Sequence, residues 1–242
     1  MEIFIGDTYD VMSKQAATDL TQIMRSAKKP LVCTASGDSP VGLYKEINHL
    51  VSKKQLDISE WNFISLDEWV GLNGNDEGSC RYHLNNQLFH PLEIPAGHIC
   101  FFDGRAENLE KECAAAENFI LEHDGIDVAI LGLGLNGHAG MNEPGTSPAL
   151  RSHVAALDPI TEKTGQKYFK KSQQLSQGIT LGLANLMETK HLFLLVSGPH
   201  KAEIVQRLVN EEISEQLPAS LLRNHPRLKI YLDVEAADLI RS

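Results

Sequence analysis

The stretch Leu31-Val32-Cys33-Thr34-Ala35-Ser36-Gly37-Asp38-Ser39-Pro40 is a short β-prone run that stops in a turn-rich segment. Beyond it, Val41, Leu43, Tyr44, Ile47, Leu50 and Val51 recur at helical spacing, so the whole reads as strand, tight loop and helix. The same grammar runs on toward the C-terminus. Trp61 to Leu66 reads as a strand before a helix near Arg81 to Phe89, and Ile99 to Phe102 as a strand before a helix over Glu107 to His123. Ile126 to Leu133 is another strand; His191 to Val196 precedes a helix over His200 to Asn210, and Leu228 to Leu232 closes the series. Short strands that do not alternate, separated by helices, imply a mostly parallel sheet with helices on both faces. No Pro/Ser-rich linker or internal repeat divides the 242 residues, which predicts a single α/β domain over 1–242.

Composition narrows the partners. With 42% hydrophobic and 22% charged residues the chain can bury a sizeable core. Its 22 Lys+Arg against 32 Asp+Glu leave a net charge of −10, which argues against a broad nucleic-acid or anionic-membrane surface. Any anionic ligand must therefore be met by a local site. Met1 to Asp10 carries acids where a secretory signal needs basic and apolar residues, and no apolar run approaches the ~18 residues of a membrane span. The expectation is a cytoplasmic protein with no membrane partner. Cys33, Cys80, Cys100 and Cys113 show no C-x-x-C spacing and read as free thiols.

In such a sheet, ligands bind at the carboxyl ends of strands, which directs attention to Thr34–Pro40, Asp67–Leu72 and Gly132–Ser147. Gly132-Leu-Gly134-Leu-Asn136-Gly137 matches the dinucleotide fingerprint, but that fingerprint must open a helix. Here Gly140, Pro144, Gly145 and Pro148 follow, so no dinucleotide is expected. The segment instead concentrates Asn136, His138, Asn142 and Glu143. His138 and Glu143, five apart, can meet if the loop folds back. A carboxylate on one ring nitrogen then fixes the tautomer and leaves the other for proton transfer. Without H-E-x-x-H spacing or further Cys and His nearby, no metal is expected. These residues alone leave open a structural loop holding a hydrogen-bonded histidine.

Of the adjacent Asp67 and Glu68 only one can point into a given cleft, as a candidate general base; the structural alternative is a helix-capping or surface acid. Ser36-Gly37-Asp38-Ser39-Pro40 offers backbone N–H groups, hydroxyls and a helix start, the ingredients of a phosphate cradle, or else ordinary turn chemistry. In Ser197-Gly198-Pro199-His200-Lys201 a lysine sits at a helix start, unfavourably for the helix dipole unless an anion binds there.

Taken together, Ser36-Gly37-x-Ser39-Pro40, Leu66-Asp67-Glu68-Trp69-Val70-Gly71-Leu72, Gly132-x-Gly134-x-Asn136-Gly137-His138-x-Gly140-x-Asn142-Glu143-Pro144-Gly145 and Ser197-Gly198-x-x-Lys201 resemble the glucosamine-6-phosphate deaminase/isomerase family. The related 6-phosphogluconolactonases share the Asp-Glu pair but have a Ser-Leu-Phe-Pro-like stretch where this chain reads Met141-Asn142-Glu143-Pro144. The resemblance implies a Rossmann-like domain and a reaction without cofactor or metal, in which a hexosamine 6-phosphate becomes a ketose 6-phosphate plus ammonia. By the same resemblance, His138 opens the sugar ring with Glu143 and Asn136 in support. Asp67 moves a proton from C2 to C1 through an enediol-type intermediate, and water expels the amine. Ser36, Gly37, Ser39, Lys167 and Lys201 hold the phosphate, and Glu68 and Gly137 complete the substrate-binding set.

Three departures from the family pattern matter. Asn136 stands where many relatives carry Asp, Asp38 where Gly is usual, and Lys167 where an arginine grips phosphate from a lid. Asp38 must therefore turn away from the phosphate or be offset by a cation. Trp69, Gly78-Ser79-Cys80 and Gly178-Ile179-Thr180-Leu181-Gly182-Leu183 are more similar to members assigned to galactosamine-6-phosphate. His153 and Ala155 replace basic residues of larger, hexameric, allosterically activated relatives, so neither a hexamer nor activation is expected. Alternatives are a lactonase-like hydrolase and a non-catalytic sugar-phosphate effector domain. The latter usually follows an N-terminal helix-turn-helix, for which no residues are expected to be available before the Leu31 strand.

Overall fold

Leu31 and Cys33 turn their side chains to one side of their strand and Val32 to the other, and this alternation, repeated from strand to strand, builds two cores. The computed structural model describes residues 1–25 and 27–241. In chain order its elements are β1 (Glu2–Gly6), α1 (Tyr9–Met24), β2 (Leu31–Thr34), α2 (Val41–Ser52), β3 (Asn62–Ser65), β4 (Asp67–Trp69), α3 (Cys80–Leu84, continued by a π turn over Asn85–Phe89), β5 (Ile99–Cys100) and α4 (Leu109–Glu122). Then follow β6 (Val128–Gly132), β7 (His153–Ala156), α5 (Pro159–Gly165), β8 (Gln177–Thr180), α6 (Leu183–Met187), β9 (His191–Val196), α7 (Ala202–Asn210), α8 (Pro218–Leu221) and β10 (Leu228–Asp233).

Seven strands form a parallel sheet in the order β1-β10-β9-β6-β2-β3-β5. On one face Leu31, Cys33, Ala129 and Leu131 pack against Cys113 and Ala116 of α4 and Ile204, Val205 and Leu208 of α7. On the other, Val32, Phe63, Val128 and Ile130 meet Met12, Ala16 and Leu20 of α1 and Leu43, Tyr44 and Ile47 of α2. Each fully buried side chain of this size contributes roughly 1.5–3 kcal/mol, so both helical layers are fixed to the sheet chiefly by apolar area. The mostly parallel, doubly covered sheet agrees with the sequence reading. The four cysteines are free thiols, and no described helix is long and apolar enough to cross a membrane.

Two features lie outside that reading. The chain begins with β1 and α1, the latter capped by the Thr8 hydroxyl, which accepts the Val11 N–H at 3.2 Å. A second, antiparallel sheet, β4-β8-β7, stands beside the first. Asp67 and Glu68 therefore do not close β3; they open β4. The handover occurs at Leu66, whose carbonyl accepts the Leu181 N–H at 2.9 Å and draws the chain onto the segment after β8.

The order of the large sheet locates the site. From β2 the chain builds outward through β3 and β5, then returns to lay β6 on the opposite side of β2 and continues outward through β9 and β10. At this reversal the loops leaving the carboxyl ends of β2 and β6 part, opening a crevice between them.

Candidate active site

Beyond β6 the chain folds back on itself, the Gly134 N–H donating to the His138 carbonyl at 3.0 Å and the Gly137 N–H to the Gly134 carbonyl at 3.0 Å. Gly134 lies against the His138 imidazole, where a Cβ would collide with the ring, and Gly137 turns the chain at a φ of +86°. The fold-back brings His138 Nδ1 to 3.6 Å from Glu143 Oε2. Asn136 links the two. Its Nδ2 donates to Glu143 Oε2 at 2.8 Å, while its Oδ1 lies 2.8 Å from His138 Nδ1 and accepts the His138 backbone N–H at 3.1 Å. An ionised carboxylate can only accept, so Asn136 gives it the amide NH2 and keeps the carbonyl oxygen for the imidazole. Nδ1 must then carry the hydrogen, which leaves Nε2 of the neutral ring with a lone pair. Burial pushes the Glu143 carboxyl up, but His138, Thr161 and Asn136 more than offset it and hold the group below its ordinary range. Asn142 plays a different part: its Nδ2 donates to the Ala139 carbonyl at 2.8 Å and the Leu181 carbonyl at 2.9 Å, pinning the loop to the end of β8.

Asp67, at the start of β4, lines the same cleft as His138. Burial raises its carboxyl to about 6, with a hydrogen bond from Cys80 and the charge of His138 pulling the other way. Glu68 points elsewhere. Its Oε1 accepts the Trp69 and Cys80 N–H groups and its Oε2 the Arg81 N–H, all at 2.9 Å. Cys80 and Arg81 open α3, so Glu68 caps that helix and does not reach the cleft, contrary to its expected place on the substrate. Gly137 does not line the cleft either: its carbonyl accepts the Ala219 N–H at 2.9 Å, and Leu217 packs on its Cα.

Ser36, Gly37, Asp38 and Ser39 border the other end of this cleft, whose volume is about 180 Å³, together with Lys167 and Lys201. Lys201, in the 3-10 turn that precedes α7, donates from Nζ to the Leu133 carbonyl. Burial and then the charge of Lys167 lower its ammonium to about 8. Lys167, in the 3-10 turn after α5, places Nζ 2.6 Å from Asp38 Oδ2, so the unusual carboxylate of the loop is offset by a cation. Thr161 and Tyr168 also line the cleft. Sequence reasoning passed over both, although Asp158-Pro159 is a helix-start signal that marks α5; the Asp158 carboxylate accepts the Ile160 N–H at 2.7 Å.

Residues 7–230 match the family model described as glucosamine-6-phosphate isomerases/6-phosphogluconolactonase. The glucosamine-6-phosphate deaminase of Oceanobacillus iheyensis is 36% identical over 237 residues, 98% of this chain and 95% of that one. The glucosamine-6-phosphate deaminase of Clostridium perfringens is 34% identical over 242 residues, the full length of both. Among solved structures, a monomeric glucosamine-6-phosphate deaminase matches with a TM-score of 0.95 at 31% identity, covering 99% of this chain and 100% of that one. The 6-phosphogluconolactonase of Trypanosoma brucei has the same fold at a TM-score of 0.74 and 18% identity, over 98% and 97% of the two chains.

Proposed function

This chain belongs to the family of glucosamine-6-phosphate isomerases and 6-phosphogluconolactonases, and from that premise we propose that it is a hexosamine 6-phosphate deaminase/isomerase, acting as a single domain without need of a hexamer. One observation carries the reading: a carboxyl raised to about 6 and an imidazole whose tautomer is fixed border one cleft. A raised carboxylate suits removal of a proton from carbon, and an imidazole with a free Nε2 suits proton exchange with oxygen. His138 takes the proton of the anomeric hydroxyl while the ring oxygen is protonated, which opens the sugar. Asp67 removes the C2 proton and returns it at C1, while the oxygen on C1 gains the proton that the nitrogen gives up, leaving a C1 hydroxyl and a ketimine at C2. Water adds there, and ammonia leaves to give the ketose. Ser36, Gly37, Ser39, Lys167 and Lys201 would hold the phosphate away from the reacting carbons and so orient them.

Deaminase is favoured over lactonase by the Asn142-Glu143-Pro144 stretch and by the full-length likeness to deaminases. Between the C4 epimers, the similarity of Trp69, Gly78-Ser79-Cys80 and Gly178-Ile179-Thr180-Leu181-Gly182-Leu183 to members assigned to galactosamine 6-phosphate favours that substrate over glucosamine 6-phosphate, and of these residues Trp69 and Cys80 border the cleft. An ammonia-release assay with each hexosamine 6-phosphate tests the reading, with faster release expected from galactosamine 6-phosphate. Hydrolysis of 6-phosphogluconolactone with no ammonia from either amino sugar would replace it with the lactonase reading.

A further inference from the structure

Thr161 lies in the first turn of α5, is 5% exposed, and lines the cleft. Its helix does not need it as a cap, since Asp158 fills that role. A threonine inside a helix ordinarily turns its hydroxyl back to a carbonyl of the preceding turn. This one reaches a residue 23 positions away, with Oγ1 3.0 Å from His138 Nδ1. The same nitrogen is 3.6 Å from Glu143 Oε2, too far for a hydrogen bond. Asn136 compels Nδ1 to carry the hydrogen, which the Asn136 oxygen at 2.8 Å and the Thr161 oxygen at 3.0 Å share, and the hydroxyl's own hydrogen is free for the Glu143 carboxylate, which Thr161 helps to hold below its ordinary range.

We infer that Thr161 is a positioning residue for His138: its hydroxyl, a second acceptor on Nδ1 beside Asn136, stands between the ring and the Glu143 carboxylate and holds in place an imidazole whose tautomer Asn136 fixes. Asn136, being neutral, cannot stabilise an imidazolium by charge. The Glu143 charge acts on the ring directly from 3.6 Å, and the Thr161 hydroxyl adds a polar link beside it. The inference rests on the deaminase reading for its catalytic consequence, though not for its geometry.

The experiment compares full-length wild type, Thr161→Val and Thr161→Ser by ammonia release from hexosamine 6-phosphate. In parallel, imidazole 15N spectra of the ligand-free proteins are recorded, with His138 assigned by its loss in His138→Gln. Valine keeps the shape and removes the hydroxyl, and should lower kcat about tenfold with KM within about twofold. The His138 Nδ1 resonance of this variant should shift as that nitrogen loses its second acceptor, with the tautomer kept by Asn136. Serine should restore both the wild-type spectrum and kcat to within about threefold. Parental kcat in Thr161→Val, an unchanged His138 spectrum, or Thr161→Ser as impaired as Thr161→Val would each overturn the assignment. Wild type that released no ammonia would defeat the deaminase reading, and the spectra would then decide the role of Thr161 alone.

Discussion

Asp67 keeps its proton to a higher pH than an ordinary carboxyl because burial raises it from 3.8 to about 6. A base must lose that proton first, so kcat/KM should climb with slope one through about pH 6, and pH–rate profiles check this. The same shift has a cost in stability. The folded state holds the proton more tightly than the unfolded chain, so stability falls as pH rises from about 4 to 6, and the loss persists above that window. Asp67→Asn should therefore melt higher than the parent at neutral pH, by up to roughly 2–3 kcal/mol. It should also lose solvent exchange of the substrate C2 proton, and exchange at the parental rate would remove Asp67 from the mechanism. Lys201, lowered to about 8, poses the opposite case: its charge fades as pH passes 8, and KM should rise there. Lys201→Ala should weaken substrate binding by about 1.5–3 kcal/mol and abolish that rise in KM; a normal KM would place the phosphate elsewhere.

Glu68 shows how an element can claim a residue that looks functional. Side chains alternate along β4, so Asp67 and its neighbour face opposite ways, and the second acid satisfies the N–H groups that α3 leaves open. Glu68→Gln puts an NH2 against donors and should lower stability by about 1–3 kcal/mol while leaving KM close to the parent; thermal melts and steady-state kinetics check both. The helix-capping alternative was readable from the Asp-Glu pair, but the choice was not. It depends on β4 pairing with β8, more than a hundred residues on. Strands of three and four residues such as Asp67–Trp69 and Gln177–Thr180 carry too little periodicity to be seen alone. By contrast His191–Val196 and Leu31–Thr34 announce themselves because, covered on both faces, they carry unbroken apolar runs over 192–196 and 31–33. That 134–143 forms no helix was legible too, since it holds three glycines and Pro144 and Pro148 follow it. Thr161 was not, since only the packing of α5 brings it to His138.

At the scale of the whole molecule, the large sheet fixes where loops part, and the small sheet decides what a second ligand would meet. His153 and Ala155 lie on β7, and Arg151 just before them is held by Glu117 at 3.3 Å and Glu188 at 2.5 Å. With no uncommitted cation pair at those positions, substrate dependence should be hyperbolic and unaffected by N-acetylglucosamine 6-phosphate. Initial-rate curves with and without that compound decide it, and a sigmoidal curve made hyperbolic by the compound would refute it. Finally, in the proposed reading the Lys167–Asp38 contact makes phosphate binding an exchange of counter-ions. The chain carries a net charge of −10, and of the two ammonium groups that border its cleft, Lys167 is already escorted by a carboxylate. A phosphate that recruits Lys167 displaces that carboxylate into water, where Asp38 is largely exposed already. Lys167 is thereby quiet toward singly charged anions, and its grip falls to ligands that can outbid a tethered rival with two charges in place of one.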